Sequence, residues 1–327
     1  MVLSKHAFSR RAVAIGLAAT AALAALPLHG QAQSGSKAAL KDVRLGVFPI
    51  TDAAVPLLGL DRGIFEKHGI NLLPTTLSTA SIVQSTTSGQ VDLALNSLQH
   101  SVSAASAGLP LSVVAGLSVW AKGAAGADPD GLIVLKGGPK TGADFNGKTI
   151  AVVALNSADE LAARVTIDRH GGDANSLKFT VLPAAAMKGA LQNGDVQGAV
   201  IHDPFYRSFM ATGEFAAPLG NPNFQAFADL PRLVVISSKD FAGAHQPELR
   251  AFQAAMQESI DLALSDPDAV AATLVKWFKT PEADAKSSTL PKLRATVTVE
   301  QVAAVEKLSQ DYKFIKGDVD PAALVFQ

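Results

Sequence analysis

His202 and Asp203 place an imidazole next to a carboxylate, the pairing that general acid–base chemistry uses. Adjacent residues of an extended chain point to opposite sides, so these two cannot act on one proton. Asp203-Pro204 reads more simply as a turn that opens a helix. His202 ends an apolar strand, where it is expected to face a ligand. A second pattern, Gly142-Ala143-Asp144-Phe145-Asn146-Gly147-Lys148-Thr149, matches the phosphate loop letter for letter. That motif works only between a strand and a helix, whose N-terminal N–H groups cradle phosphate. Here Ile150-Ala151-Val152-Val153-Ala154 follows, a strand pattern, so nucleotide binding is not expected. The chain has no cysteine, which excludes a disulfide, a thiolate metal site and a cysteine nucleophile. His68, His100, His170, His202 and His245 include no i, i+4 pair, and no Gly-x-Ser-x-Gly elbow occurs. No catalytic residue, metal or cofactor is therefore expected. His68 and His170 instead suit helix C-termini, where positive charge is favourable.

The remaining candidates are groups that hold rather than react. Ile50-Thr51-Asp52, Ser78-Thr79-Ala80, Asn96-Ser97 and Asn156-Ser157-Ala158 each follow an apolar strand pattern and lead into a helix. Free N–H groups at such helix starts favour anionic or polar acceptors. Ser157-x-x-Glu160 is a capping box that uses the Ser157 hydroxyl locally. Trp120 ends an apolar run and can wall a pocket and stack on its occupant. Asp52, Asp159 and Asp203 add negative potential, and no arginine stands in these turns. A sulfonate or carboxylate would then depend on helix ends and hydroxyls rather than a guanidinium fork, and a bare inorganic anion is the weaker fit. Trp120 and Asp52 are expected to touch ligand without being needed for folding.

The elements that carry these turns come as a repeat, roughly a hundred residues apart, too long a period for a solenoid. Strand Val43 to Phe48, a helix ending at His68-Gly69, strand Ile70 to Leu77, helix Ser78 to Ser88 and strand Val91 to Leu95 form the first copy. Strand Thr149 to Leu155, helix Ala158 to His170, strand Leu177 to Leu182, helix Ala184 to Asn193 and strand Val196 to Ile201 form the second. Strand–helix–strand–helix–strand, twice, predicts α/β architecture with two open parallel sheets, whose strand carboxyl ends share an edge and bind ligand there. Leu111 to Trp120 leaves the first half and Leu233 to Ser238 returns, both extended, as a two-strand hinge. Beyond them Leu249, Phe252, Met256, Ile260 and Ala263 follow helical spacing, and Thr298-x-x-Gln301 caps a last helix. These helices are expected to complete the first lobe. The lobes are then residues 33–121 plus 238–327, and residues 122–237.

The 327 residues are 48% hydrophobic and 17% charged, enough for two cores, and a net charge of −1 gives no sign of a nucleic-acid or polyanion partner. Lys5, Arg10 and Arg11 precede an uncharged apolar stretch from Ala12 to Leu26, then Pro27 and the small-x-small site Gly30-Gln31-Ala32. Residues 1–32 read as a secretory signal peptide, because about 15 apolar residues fall short of the roughly 20 that span a bilayer. Ser9-Arg10-Arg11 hints at the twin-arginine route. With no cysteine to carry a lipid at the cleavage site, the mature chain is expected to be soluble.

An ordered set of segments resembles the periplasmic substrate-binding proteins of the nitrate/sulfonate/taurine ABC-importer group, which includes thiamine-precursor binders. The segments are Leu60-Asp61-Arg62-Gly63-Ile64-Phe65-Glu66-Lys67-His68-Gly69-Ile70, Ser88-Gly89-Gln90-Val91-Asp92, Ala107-Gly108-Leu109-Pro110-Leu111, Asp144-Phe145-Asn146-Gly147-Lys148 and Gly194 to Pro204. Gln197 and Gly198 depart from the Asp and Ala usual there. The resemblance implies a type II periplasmic binding fold and a non-catalytic, monomeric protein. It further implies capture of a small organic solute, sulfonate- or taurine-like or heteroaromatic, between two lobes. The partners it implies are a membrane ABC permease with its ATPase, and no nucleic acid. Two other functions fit an exported chain: an enzyme acting on a small heteroaromatic, or a periplasmic sensor partner that presents ligand. A yeast-type pyrimidine synthase related to this group uses a cysteine-rich motif, which this sequence lacks.

Overall fold

The computed structural model describes residues 40–121, 130–203 and 205–327. The expected leader, residues 1–32, and Pro204 lie outside them. Two five-stranded sheets organise the chain. The first contains β1 (Lys41–Val47), β2 (Ile70–Thr76), β3 (Leu93–Ser97), β4 (Leu111–Val119) and, from far along the chain, Pro231–Ser238. The second contains β5 (Asp130–Leu135), β6 (Thr149–Val152), β7 (Lys178–Val181), β8 (Gly198–His202) and β9 (Phe215–Ala216); Pro231–Ser238 is then β10. The orders are β2-β1-β3-β10-β4 and β7-β6-β8-β5-β9. In each, the opening strand of the repeat lies between the other two and parallel to both. This is the reversal of strand order at which α/β sheets bind ligands, beyond the strand carboxyl ends.

The sheets are mixed, not purely parallel. β10 runs antiparallel to β3 and β4, and β5 runs antiparallel to β8 and β9. The cause is connectivity: each strand that enters a sheet from the other half starts at the carboxyl edge and must run backwards. β4 and β10, the segments expected to join the halves, pair with each other from Val119↔Pro231 to Leu111↔Ser238 inside the first sheet. The chain leaves for the second sheet beyond Val119 and rejoins the first at Pro231.

β4 (LSVVAGLSV) is buried at every position, as its unbroken apolar and small-residue run requires. Its outer edge is covered rather than exposed. Gly116 N–H donates to Ala295 O (2.7 Å), Val119 N–H to Lys292 O (2.9 Å) and Arg294 N–H to Leu117 O (3.1 Å). A Cβ at Gly116 would lie 2.4 Å from Arg294 O, so only glycine lets this strap close on the strand.

The C-terminal helices complete the first sheet. Leu249, Phe252, Met256 and Ile260 join the core on one of its faces, with Leu45, Leu58 and Phe65. Val302 and Val305 join the other, with Leu98 and Val102. Thr298 and Gln301 form the expected capping box. A separate cluster brings Leu161, Ala162 and Val165 of the helix Ala158–Arg169 against Trp120, Phe227, Leu308, Tyr312 and Phe314. The phosphate-loop look-alike is a short 3-10 turn, Ala143–Phe145, leading into β6. Gly142 there packs against the carbonyls of Ile167 and His170, which leaves no cradle for phosphate.

Candidate functional site

A cavity of about 1130 Å³ lies where the carboxyl edges of the two sheets meet. Pockets for small organic ligands run to about 1,000 Å³, so the space suits a metabolite-sized occupant with water. Of the residues expected from the sequence, Ile50, Thr51, Asp52, Ser97, Trp120, Ser157, Ala158, His202 and Asp203 line it.

Five expected residues do not line it. Ser78, Thr79 and Ala80 form an exposed turn after β2, the outermost strand and so the one farthest from the crossing strands; among the described residues Ser78 bonds to Ser81 alone. Asn96 is buried on the opposite side of β3 from Ser97, as strand alternation demands, and donates to Ser101 Oγ (3.1 Å). Asn156 takes φ 54° and donates its N–H to Glu160 Oε2 (2.9 Å), closing the helix start. Ser157 does serve locally, donating to Ala154 O (2.8 Å) and accepting from Glu160 N–H (3.3 Å). Ser97 likewise caps its helix, accepting from His100 N–H (3.1 Å).

His202 and Asp159 carry a sequence signal, but Asp130, Asn221 and Asn223, which complete the wall around them, carry none. Asp130, the first residue of β5, pairs in register with His202, the last of β8. His202 Nδ1 lies 3.0 Å from Asp130 Oδ2, and Nε2 lies 3.0 and 3.1 Å from the two Asp159 oxygens. Asn223 Nδ2 donates to Asp159 Oδ1 (3.0 Å), and Asn221 Nδ2 donates to Asp130 Oδ1. Both carboxylates are buried. Burial opposes charge on the imidazole, but the Asp159 charge and hydrogen bonds to both carboxylates outweigh it, and His202 is pushed up to about 10. The same burial would raise Asp159; the imidazolium, Asn223 and Arg232 hold it below the usual carboxylate range. At neutral pH both ring nitrogens of His202 therefore donate, and no lone pair is left for a base or a metal. Among the described residues, no group of three His, Asp or Glu side chains is arranged to hold a metal ion.

The first-sheet edge carries the second ionic group. Asp52 is 1% exposed and accepts from Ser118 Oγ and from Arg232 Nη1 (3.1 and 3.3 Å). The Arg232 guanidinium lies 5.3 Å from the Trp120 ring centroid, and Trp120 stacks on Phe227 at 6.0 Å. Trp120 is thus both a cavity wall and part of the packed crossing between the sheets. The named turns lack arginine, as expected, but the rest of the cavity wall does not: β10 brings Arg232 to the edge, and Arg207 also lines the cavity. Asp52 is accordingly neutralised rather than a free negative charge. Asp203 also has a partner, Arg207 Nε at 2.6 Å, yet burial pushes its carboxyl up. Thr289, Leu290, Pro291 and Lys292, from the strap over β4, close a further side.

Two α/β sheets with facing carboxyl edges, a ligand-sized cavity between them and two chain crossings define a periplasmic-binding-protein fold. The chain belongs to the NMT1/THI5-like family, whose model matches residues 51–270. Its structure is similar to the periplasmic aliphatic sulphonate binding protein SsuA from Escherichia coli, with TM-score 0.71, 18% identity and coverage of 88% of this chain and 98% of that one. It is similar to the alkanesulfonate-binding protein SsuA from Xanthomonas axonopodis pv. citri bound to MOPS, with TM-score 0.69, 18% identity and coverage of 88% and 99%. It also resembles the periplasmic nitrate-binding protein NrtA from Synechocystis PCC 6803, with TM-score 0.67, 14% identity and coverage of 87% and 84%. Among curated protein sequences none matches.

Proposed function

We propose that the protein is the solute-binding component of an ABC importer, capturing a small organic solute between two lobes and presenting it to a membrane permease and its ATPase. The observation that carries this reading is the cavity at the switch points of two facing sheets, walled by residues from both. The first lobe is residues 40–121 with 231–327, since β10 belongs to the first sheet, and the second is 130–230. Closure about the two crossings, near Trp120 and Leu230, would expel water and complete the contacts to the solute. The export reading of residues 1–32 and a location in the periplasm fit this role, as does the lack, among the described residues, of a helix long and apolar enough to cross a membrane. Sulfonate and nitrate binding by the structural neighbours supports a small polar solute, and the aromatic pair Trp120–Phe227 supports one with an apolar or ring portion.

The arrangement of His202 supports a non-catalytic role: with both ring nitrogens on carboxylates, it has no lone pair with which to act as a base. The test is a thermal-shift screen of sulfonates, aromatic acids and pyrimidines, repeated with Trp120→Ala. A binder should raise the melting temperature of the wild type and bind Trp120→Ala at least about fivefold more weakly, since an aromatic contact adds about 1 kcal/mol beyond its buried area. Turnover of the bound solute would contradict the reading.

A further inference from the structure

We propose that Arg232 determines the specificity of the cavity, gripping an oxoanion group of the solute through Nε and Nη2; this rests on the solute-binding reading above. The guanidinium is fixed before any ligand arrives. Nη1 is tied to Asp52, which is 1% exposed and held in turn by Ser118, and the guanidinium stacks on Trp120, which Phe227 backs. Such a clamp sets both the position and the plane of the group. Among the described residues, no hydrogen-bond partner meets Nε or Nη2. Those two donors form the edge of a guanidinium that matches two oxygens of a carboxylate, sulfonate or phosphate.

The other cations of the cavity wall are differently placed. His202 has both nitrogens on carboxylates. Arg207 gives Nε to Asp203 and is 55% exposed, and Lys292 pairs with Asp229 and is 53% exposed. The Arg232 side chain is 23% exposed. Attraction to an anion strengthens as water is excluded, so the half-hydrated lysine and arginine at the rim attract one only weakly. Arg232 alone, among the described lining residues, combines a dry setting, a fixed plane and two uncommitted donors. β10 explains how it comes there: Leu233 pairs with Ser97, the last residue of β3, so Arg232 emerges at the carboxyl edge.

The experiment follows thermal melting against methanesulfonate, acetate and methylphosphonate. Sodium chloride at matched ionic strength and dimethyl sulfone, a neutral isostere, serve as controls. At least one oxoanion should raise the melting temperature saturably while both controls fail, and the strongest arm identifies the head group. Arg232→Lys keeps a charge for Asp52 but lacks the two-donor edge, and should need at least about tenfold more of that oxoanion, or about 1.4 kcal/mol. Arg232→Gln should lose the response; if it fails to fold, Arg232→Lys decides the matter. Equal responses in Arg232→Lys and wild type, or no oxoanion response in wild type, overturn the assignment. A protein that closes on a neutral or cationic solute while ignoring all three oxoanions overturns this assignment alone. One that closes on no solute overturns the solute-binding reading itself.

Discussion

Asp52 lies between Ser118 and Arg232 with 1% of its surface exposed, and removing it strips a guanidinium of its counter-ion. Asp52→Ala should therefore destabilise the fold by about 2 kcal/mol, within the range for breaking a buried charged hydrogen bond, and urea unfolding reads this directly. The sequence points to Asp52 as a ligand contact that folding can spare; it lines the cavity, but its guanidinium partner, which folding would miss, stands 180 residues away on β10. His202 gives a pH test with a defined sign. Its folded value of about 10 lies above the ordinary 6.5, so its contribution is full below about pH 6.5 and lost as pH rises through about 10. The stability advantage of wild type over His202→Gln should be largest near pH 6 and shrink steadily toward pH 10. A gap that is constant over that range would mean that His202 is not held as a cation. His202 itself was legible as a strand end, but Asp130 becomes its partner only once β5 pairs with β8, and Asp159, on the helix after β6, only once β6 pairs with β8.

At the scale of elements, the repeat was the legible part. Each strand of the two copies is a short apolar run punctuated by a helix start or a glycine, signals that act within a few residues. β5 and β10 carry no comparable mark of where they insert. Leu233 to Ser238 reads as extended from its β-branched residues, but whether it bridges two lobes or enters a sheet depends on partners more than a hundred residues away. That ambiguity hid Asp130 and Arg232, which both enter at the binding edge because each stands at the start of a backward-running strand. The strap over β4 is another long-range feature with a local signature only in Gly116. Gly116→Ala would push a Cβ against Arg294 O and lift the strap, costing about 2 kcal/mol as its hydrogen bonds loosen. Hydrogen exchange should show faster exchange at Gly116, Val119 and Arg294. Unchanged protection at these amides would show that the strap accommodates a methyl group.

At the scale of the whole molecule, the two crossings are joined by a third contact outside the cavity. Tyr312 Oη donates to Asp168 Oδ2 at 2.8 Å, beside the cluster of Leu161, Val165, Leu308 and Phe314. Burial and the bond to Asp168 push the Tyr312 phenol up to about 12. Tyr312→Phe removes one partly exposed hydrogen bond and should lower stability by no more than about 1 kcal/mol while keeping the apolar packing. Capture in the proposed reading requires the ends of the two sheets to approach across the cavity while this apolar contact is kept. Small-angle scattering with and without a solute that raises the melting temperature tests that claim most directly. Capture between two lobes predicts a smaller radius of gyration in the bound state, with the loss of the shift in Arg232→Gln. A radius unchanged by any solute that binds would contradict it.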